Sequence, residues 1–103
     1  MIEKYGVAIH LHDFGQKTFE KYQMAVIRAS KEAFVQFSQT TNDGVTATAF
    51  VRGETVREAL KAGIISGIEP KDIDEMKPYV VSWIADEIQN HVKLITTAPT
   101  DPN

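Results

Sequence analysis

Two histidines and an aspartate stand together in the run His10-Leu11-His12-Asp13. On a strand, His10 and His12 would share one face with their Cα atoms roughly 6–7 Å apart. Imidazoles so placed could bind zinc with a third ligand, and His91 or Asp13 could supply it. The plainer reading is an exposed strand face, with Asp13 capping the helix that follows. That reading is preferred because structural zinc sites are normally four-ligand and closed. A zinc or hydrolytic enzyme centred on His10 and His12 stays as the least favoured of three functional readings. Ser30, Ser38, Ser66 and Ser82 lack the Gly-x-Ser-x-Gly turn that exposes a nucleophile. No glycine-rich phosphate loop is present; Gly63 and Gly67 match neither a P-loop nor a dinucleotide fingerprint.

Other residues could bind without reacting. Tyr79 and Trp83 are spaced by one helical turn, and Trp83 falls off the apolar stripe of its helix. Such a pair either closes the edge of a core or anchors a partner, because Trp and Tyr are enriched at interfaces. Phe14, Phe34 and Phe50 raise the same question. Arg28, Arg52 and Arg57 could form an anion-binding patch, with Tyr22 or Phe50 to stack on a base, although a solvated surface is the plainer account. Glu69, Asp72, Asp74 and Glu75 form an acidic cluster that lacks the EF-hand glycine and its closing glutamate. These acids are read as residues of a helix start that complement the macrodipole.

The elements that must position these groups follow from composition and pattern. The chain has 103 residues, no cysteine, and 11 Lys+Arg against 14 Asp+Glu for a net charge of −3. That length suits one domain with a modest core. The absence of cysteine excludes a disulfide scaffold, a thiolate metal site and a cysteine nucleophile. Mild acidity argues against general nucleic-acid binding. The start, Met1-Ile2-Glu3-Lys4-Tyr5, has no basic segment followed by an apolar run, so no targeting segment is expected. No stretch approaches the roughly 20 apolar residues of a membrane helix, and a cytoplasmic location is expected. Ile and Val number 19 against three Leu, with nine Thr besides. Such stiff β-branched residues favour strands, so real sheet content is expected.

Alternation of Tyr5, Val7, Ile9 and Leu11 predicts a strand over 5–12. Phe19, Tyr22, Val26, Ala29 and Ala33 recur at three and four and predict a helix over 14–31, with Asp13 and Gln16 as its capping box. Residues 33–41 and 45–52, joined by Asn42-Asp43-Gly44, read as a hairpin. Ala33, Val35 and Phe37 suit either a strand or a continued helix. Gly53 would end the hairpin. Thr55 and Glu58 would cap a second helix over 55–66 that Gly67 stops. Pro78 would open a third helix over 78–95, with Val81, Ile84, Ile88, Val92 and Ile95 facing inward. The expected fold is therefore α+β, with a three-stranded antiparallel sheet packed by three helices. Residues 1–96 would form one domain and 97–103 a flexible tail.

The second half carries a resemblance. Thr55-Val-Arg-Glu-Ala-Leu-Lys-Ala-Gly63-Ile-Ile is followed by Asp72-Ile-Asp-Glu-Met-Lys-Pro78-Tyr-Val-Val-Ser-Trp83-Ile-Ala and a Pro-Asn end. Over residues 52–103 this resembles small tailed-bacteriophage proteins that pair a VRxAxxAG helix with a DxMxPxxVxWLA helix. Those are the short reading frames among tail genes labelled tail assembly chaperones. Ile84 stands where the family pattern has Leu, and Ile64-Ile65 where it has Gly followed by Trp-Ile. The family has no catalytic residue to carry over.

The resemblance implies a non-enzymatic protein, without cofactor, that covers the apolar helical surface of a tape measure protein. Tyr79, Trp83 and Phe50 are the expected contacts, in a homo-oligomer that coats its client through many weak contacts. The alternative is a phage inhibitor of host immunity. It would be either a protein-binding inhibitor or an oligomeric sponge that holds a nucleotide signal through Arg28, Arg52, Arg57 and Tyr22.

Overall fold

The computed structural model describes residues 1–38 and 44–98, and the chain is α+β. The elements in order are β1 (Ile2–Lys4), β2 (Val7–Leu11), α1 (Gln16–Ser38), α2 (Gly44–Ala62), β3 (Ile65–Ser66), α3 (Pro70–Glu75) and α4 (Pro78–Thr96). The three strands form one antiparallel sheet in the order β1-β2-β3. The helix expected over 78–95 is α4, one residue longer. Among the described residues no helix is long and apolar enough to cross a membrane.

The strand expected over 5–12 is the second arm of a hairpin. Ile2 pairs with Ile9 and Lys4 with Val7, across a two-residue turn at Tyr5 and Gly6. Both turn residues have positive φ, 55° and 76°, which matches the twist of the strands they join. Tyr5 therefore belongs to the turn and not to the alternating face. Val7, Ile9 and Leu11 do point inward, with Ile9 fully buried.

The hairpin expected over 33–41 and 45–52 is corrected: residues 33–38 continue α1 and 45–52 belong to α2, while 39–41 lie outside the described residues. Ala29 and Ala33 are both buried, four residues apart, so the covered face of the first helix runs on past residue 31. Small side chains there let α2 lie close against α1. Once a helix is nucleated, each added residue gains a hydrogen bond, which outweighs the weak strand preference of Val45, Thr46 and Thr48. The sheet's third strand is instead the two-residue β3, paired with β2 through His10–Ser66 and Leu11–Ile65.

Helix boundaries shift for definite reasons. Gly15, not Asp13, precedes the first helical residue; its carbonyl accepts from Phe19 N at 3.1 Å. Thr55 is not a cap but a buried residue inside α2, whose hydroxyl donates to the Val51 carbonyl at 2.8 Å. Gly53 is also interior to α2 and buried, with space above it taken by the Arg57 guanidinium. The helix ends at Gly63, not Gly67. Gly63 has φ 77°, Ile64 N donates to Ala59 O at 2.9 Å, and Gly63 N donates to Leu60 O at 3.2 Å. That pair of bonds is a Schellman ending, and the left-handed residue it needs is best supplied by glycine.

The core lies where the sheet meets α2 and α4. Ile9, Ile64, Ile65, Val56, Ile84 and Ile88 are almost wholly buried. Each such side chain contributes about 1.5–3 kcal/mol when taken out of water. The α1 helix packs chiefly on α2, adding Tyr22 to this cluster, so its far side is left outward. The molecule is elongated, 52 × 30 × 23 Å.

Candidate functional site

The three histidines come to one end of β2 but not as a ligand set. The His10 and His12 rings are near parallel, 6.3 Å between centroids. His12 Nε2 is 2.7 Å from the Ser66 hydroxyl, and both groups are exposed. His91 Nε2 lies 2.7 Å from the backbone carbonyl of His12. A carbonyl only accepts, so that nitrogen carries the proton and is not offered to a metal. Among the described residues no group of three His, Asp or Glu side chains is placed to hold a metal ion. Ser66 ends the short strand β3, with Gly67 turning the chain after it, and it does not stand in a Gly-x-Ser-x-Gly sequence.

The arginines are brought together only in part. Arg52 and Arg57 line one cleft, but each faces a carboxylate. Arg57 donates to Glu54 Oε1 at 2.8 Å and to Asp74 Oδ1. The Asp74 hydrogen bond raises the Arg57 pKa further; partial burial opposes this, and Glu54 adds to it. Arg52 reaches Asp86 at 3.5 Å and the Ser82 carbonyl at the same distance. Arg28 stands apart, exposed on α1.

Tyr22 is corrected as a base-stacking residue: it is 4% exposed and belongs to the core cluster. Burial pushes its hydroxyl pKa up to about 12. Within one copy of the chain, Arg28 and Tyr22 therefore do not join Arg52 and Arg57 in one cleft. Of the acidic cluster, Asp72 accepts from the Glu69 backbone N–H at 2.8 Å and Asp74 holds Arg57. The helix-start reading of Asp72 fits this geometry, α3 opening at Pro70.

Two of the three expected contact residues, Phe50 and Tyr79, border a cleft between α2 and α4. Its inner part, ≈ 380 Å³, is walled by Phe37, Phe50, Met76, Pro78 and Val81, with Arg52 and Arg57 on its edge. It opens outward past Val45, Ala49 and Ser82 to Tyr79. Phe50 rests on Phe37, 5.6 Å between ring centroids. Tyr79 is 55% exposed and links the cleft to a second group of rings. Tyr5 meets Tyr79 edge-on at 5.0 Å and Trp83 edge-on at 6.1 Å. Trp83 is half-buried against the core, so it closes the core edge beneath Tyr5 and does not line the cleft.

Sequence reasoning missed Tyr5, Phe37, Met76 and Pro78 in this region. For Tyr5 the available signal was the following glycine, which marks a turn tolerant of positive φ. For Phe37 there was none until α1 was known to run to residue 38. Compared with known proteins, the chain matches no family model, no curated protein and no solved structure.

Proposed function

We propose that this chain is a non-enzymatic binding protein that covers an apolar helical client. In the setting its second half resembles, it is a tail assembly chaperone acting on the tape measure protein. The observation that supports this is the shape and lining of the α2–α4 cleft. It is walled by Phe37, Phe50, Met76, Pro78 and Val81 and continues past Ala49 and Ser82 to Tyr79. An amphipathic helix is recognised by seating a row of apolar side chains in such a groove. A small nucleotide would instead need unengaged cations, and the two arginines here already face Glu54, Asp74 and Asp86.

The test is co-expression with an apolar helical segment of a tape measure protein, followed by size-exclusion chromatography with mass measurement. A soluble complex is expected, weakened by Phe50→Ala and by Tyr79→Ala. Failure to form any complex, or indifference to both substitutions, would sink the proposal. Capture of a host defence protein in place of the tail segment would retain the binding reading and replace the tail assignment with inhibition of host immunity.

A further inference from the structure

The α1 helix has two apolar stripes. Tyr22, Val26, Ala29 and Ala33 make the covered one, against α2 and the core. Met24, Ile27 and Val35 are large, apolar and exposed, as is Phe34. At 100° per residue they fall on the side of the helix opposite the covered stripe. Met24 is 59% and Val35 58% exposed, so this row is open to water over about three turns, roughly 17 Å of helix. Exposed apolar side chains aligned on one helix face offer a surface on which a partner could pack.

Charge says what the row would meet. Lys17, Lys21, Arg28 and Lys31 lie in or along one edge of the stripe, and all four are exposed. None of them makes an ion pair with the described residues, whereas Arg52, Arg57, Lys61 and Lys71 each do. Only Glu20 and Glu32 oppose them on α1, so this helix is basic within a chain of net charge −3. The opposite edge is uncharged, with Gln16, Gln23 and Ser30.

We propose that the outward stripe of α1 is a second docking surface, distinct from the α2–α4 cleft, and that its occupant is an acidic amphipathic helix. The apolar side of that helix packs on Met24, Ile27 and Val35. Its carboxylates pair with Lys21, Arg28 and Lys31. Opposite charge across the contact sets the orientation and speeds the encounter. A second copy of this chain is a poorer occupant, because two α1 helices would bring basic edges together.

The probe is a peptide of about three heptads with Leu at positions a and d and Glu at e and g. Its counterpart carries Lys in place of Glu. Both are titrated calorimetrically into the full chain at low salt. The acidic peptide should bind roughly ten-fold or more tightly than the basic one, and lose several-fold in affinity at about 0.5 M salt. Ile27→Ser should weaken it about ten-fold with unchanged far-ultraviolet circular dichroism. The double charge reversal Arg28→Glu with Lys31→Glu should switch the preference to the basic peptide. Phe50→Ala, in the cleft, should remove the charge-independent binding there and leave the preference for the acidic peptide unchanged. No binding, equal binding of the two peptides to the Phe50→Ala chain, or loss of the acidic preference in that variant would overturn the proposal. So would a dimer of the chain that Ile27→Ser dissociates, since a second copy would then cover the stripe.

Discussion

Replacing Gly67 by alanine should destabilise the fold by about 2–4 kcal/mol, through two separable costs. The first is conformational. Gly67 has φ 105°, a region that side chains rarely enter, at roughly 1–3 kcal/mol. The second is steric. An added Cβ would sit 2.9 Å from the Ala8 carbonyl oxygen and 3.4 Å from Ile9 Cα. Those atoms cannot yield cheaply, because β2 is paired on one side with β1 and on the other with β3. Gly6→Ala is the internal control: Gly6 has φ 76°, and an added Cβ there meets nothing within 4 Å. It should show the conformational cost alone. The assay is urea denaturation of both variants, with thermal midpoints falling roughly 4–8 °C per kcal/mol in a chain of this size. A Gly67→Ala variant no less stable than Gly6→Ala would refute the claim that the β3 turn is wedged against β2.

Four further outcomes are expected. Stability should fall as pH rises from about 10 to about 12, by about 2–3 kcal/mol, because the unfolded Tyr22 ionises first while burial holds the folded hydroxyl protonated; Tyr22→Phe should flatten that loss in chemical denaturation followed across the range. Trp83→Ala should cost about 1–3 kcal/mol at the core edge, read from denaturant midpoints. Thermal shift against a panel of cyclic and ADP-ribose nucleotides should show no stabilisation, with Arg52→Ala and Arg57→Ala no different from the parent; a shift abolished by either substitution would revive the sponge reading. Zinc titration should show no stoichiometric uptake, and uptake lost on His12→Ala would contradict the reading that the histidines do not form a ligand set.

How far the sequence could be read depended on whether local pattern and packing agreed. In α4 they agreed: Pro78 opens the helix, and Val81, Ile84 and Ile88 are buried as their spacing required. The inward faces of Val7, Ile9 and Leu11 were legible for the same reason. Residues 45–52 show the opposite case. Their β-branched alternation predicts a strand, yet they lie in α2, because Ala29 and Ala33 of α1 offer a close-packing surface that no window around residue 48 contains. The same lengthening of α1 and α2 brought Phe37 beside Phe50 and made the cleft. Tyr79 and Phe50 were legible as contact candidates from type and spacing, but Tyr5 was hidden by an alternation it only mimics. The arginines misled because spacing reports where a guanidinium starts, not which carboxylate it meets across the fold; Asp74 lies 17 residues from Arg57.

The proposed role rests on the α2–α4 cleft receiving an apolar helix. It is tested most directly by amide chemical-shift mapping of the full chain during titration with an apolar helical client segment free of acidic residues. The largest shifts are expected at Ala49, Phe50, Arg52, Tyr79 and Ser82, with little change at His10, His12 and Ser66. Shifts centred on the histidine end of β2, with the cleft residues unmoved, would contradict it.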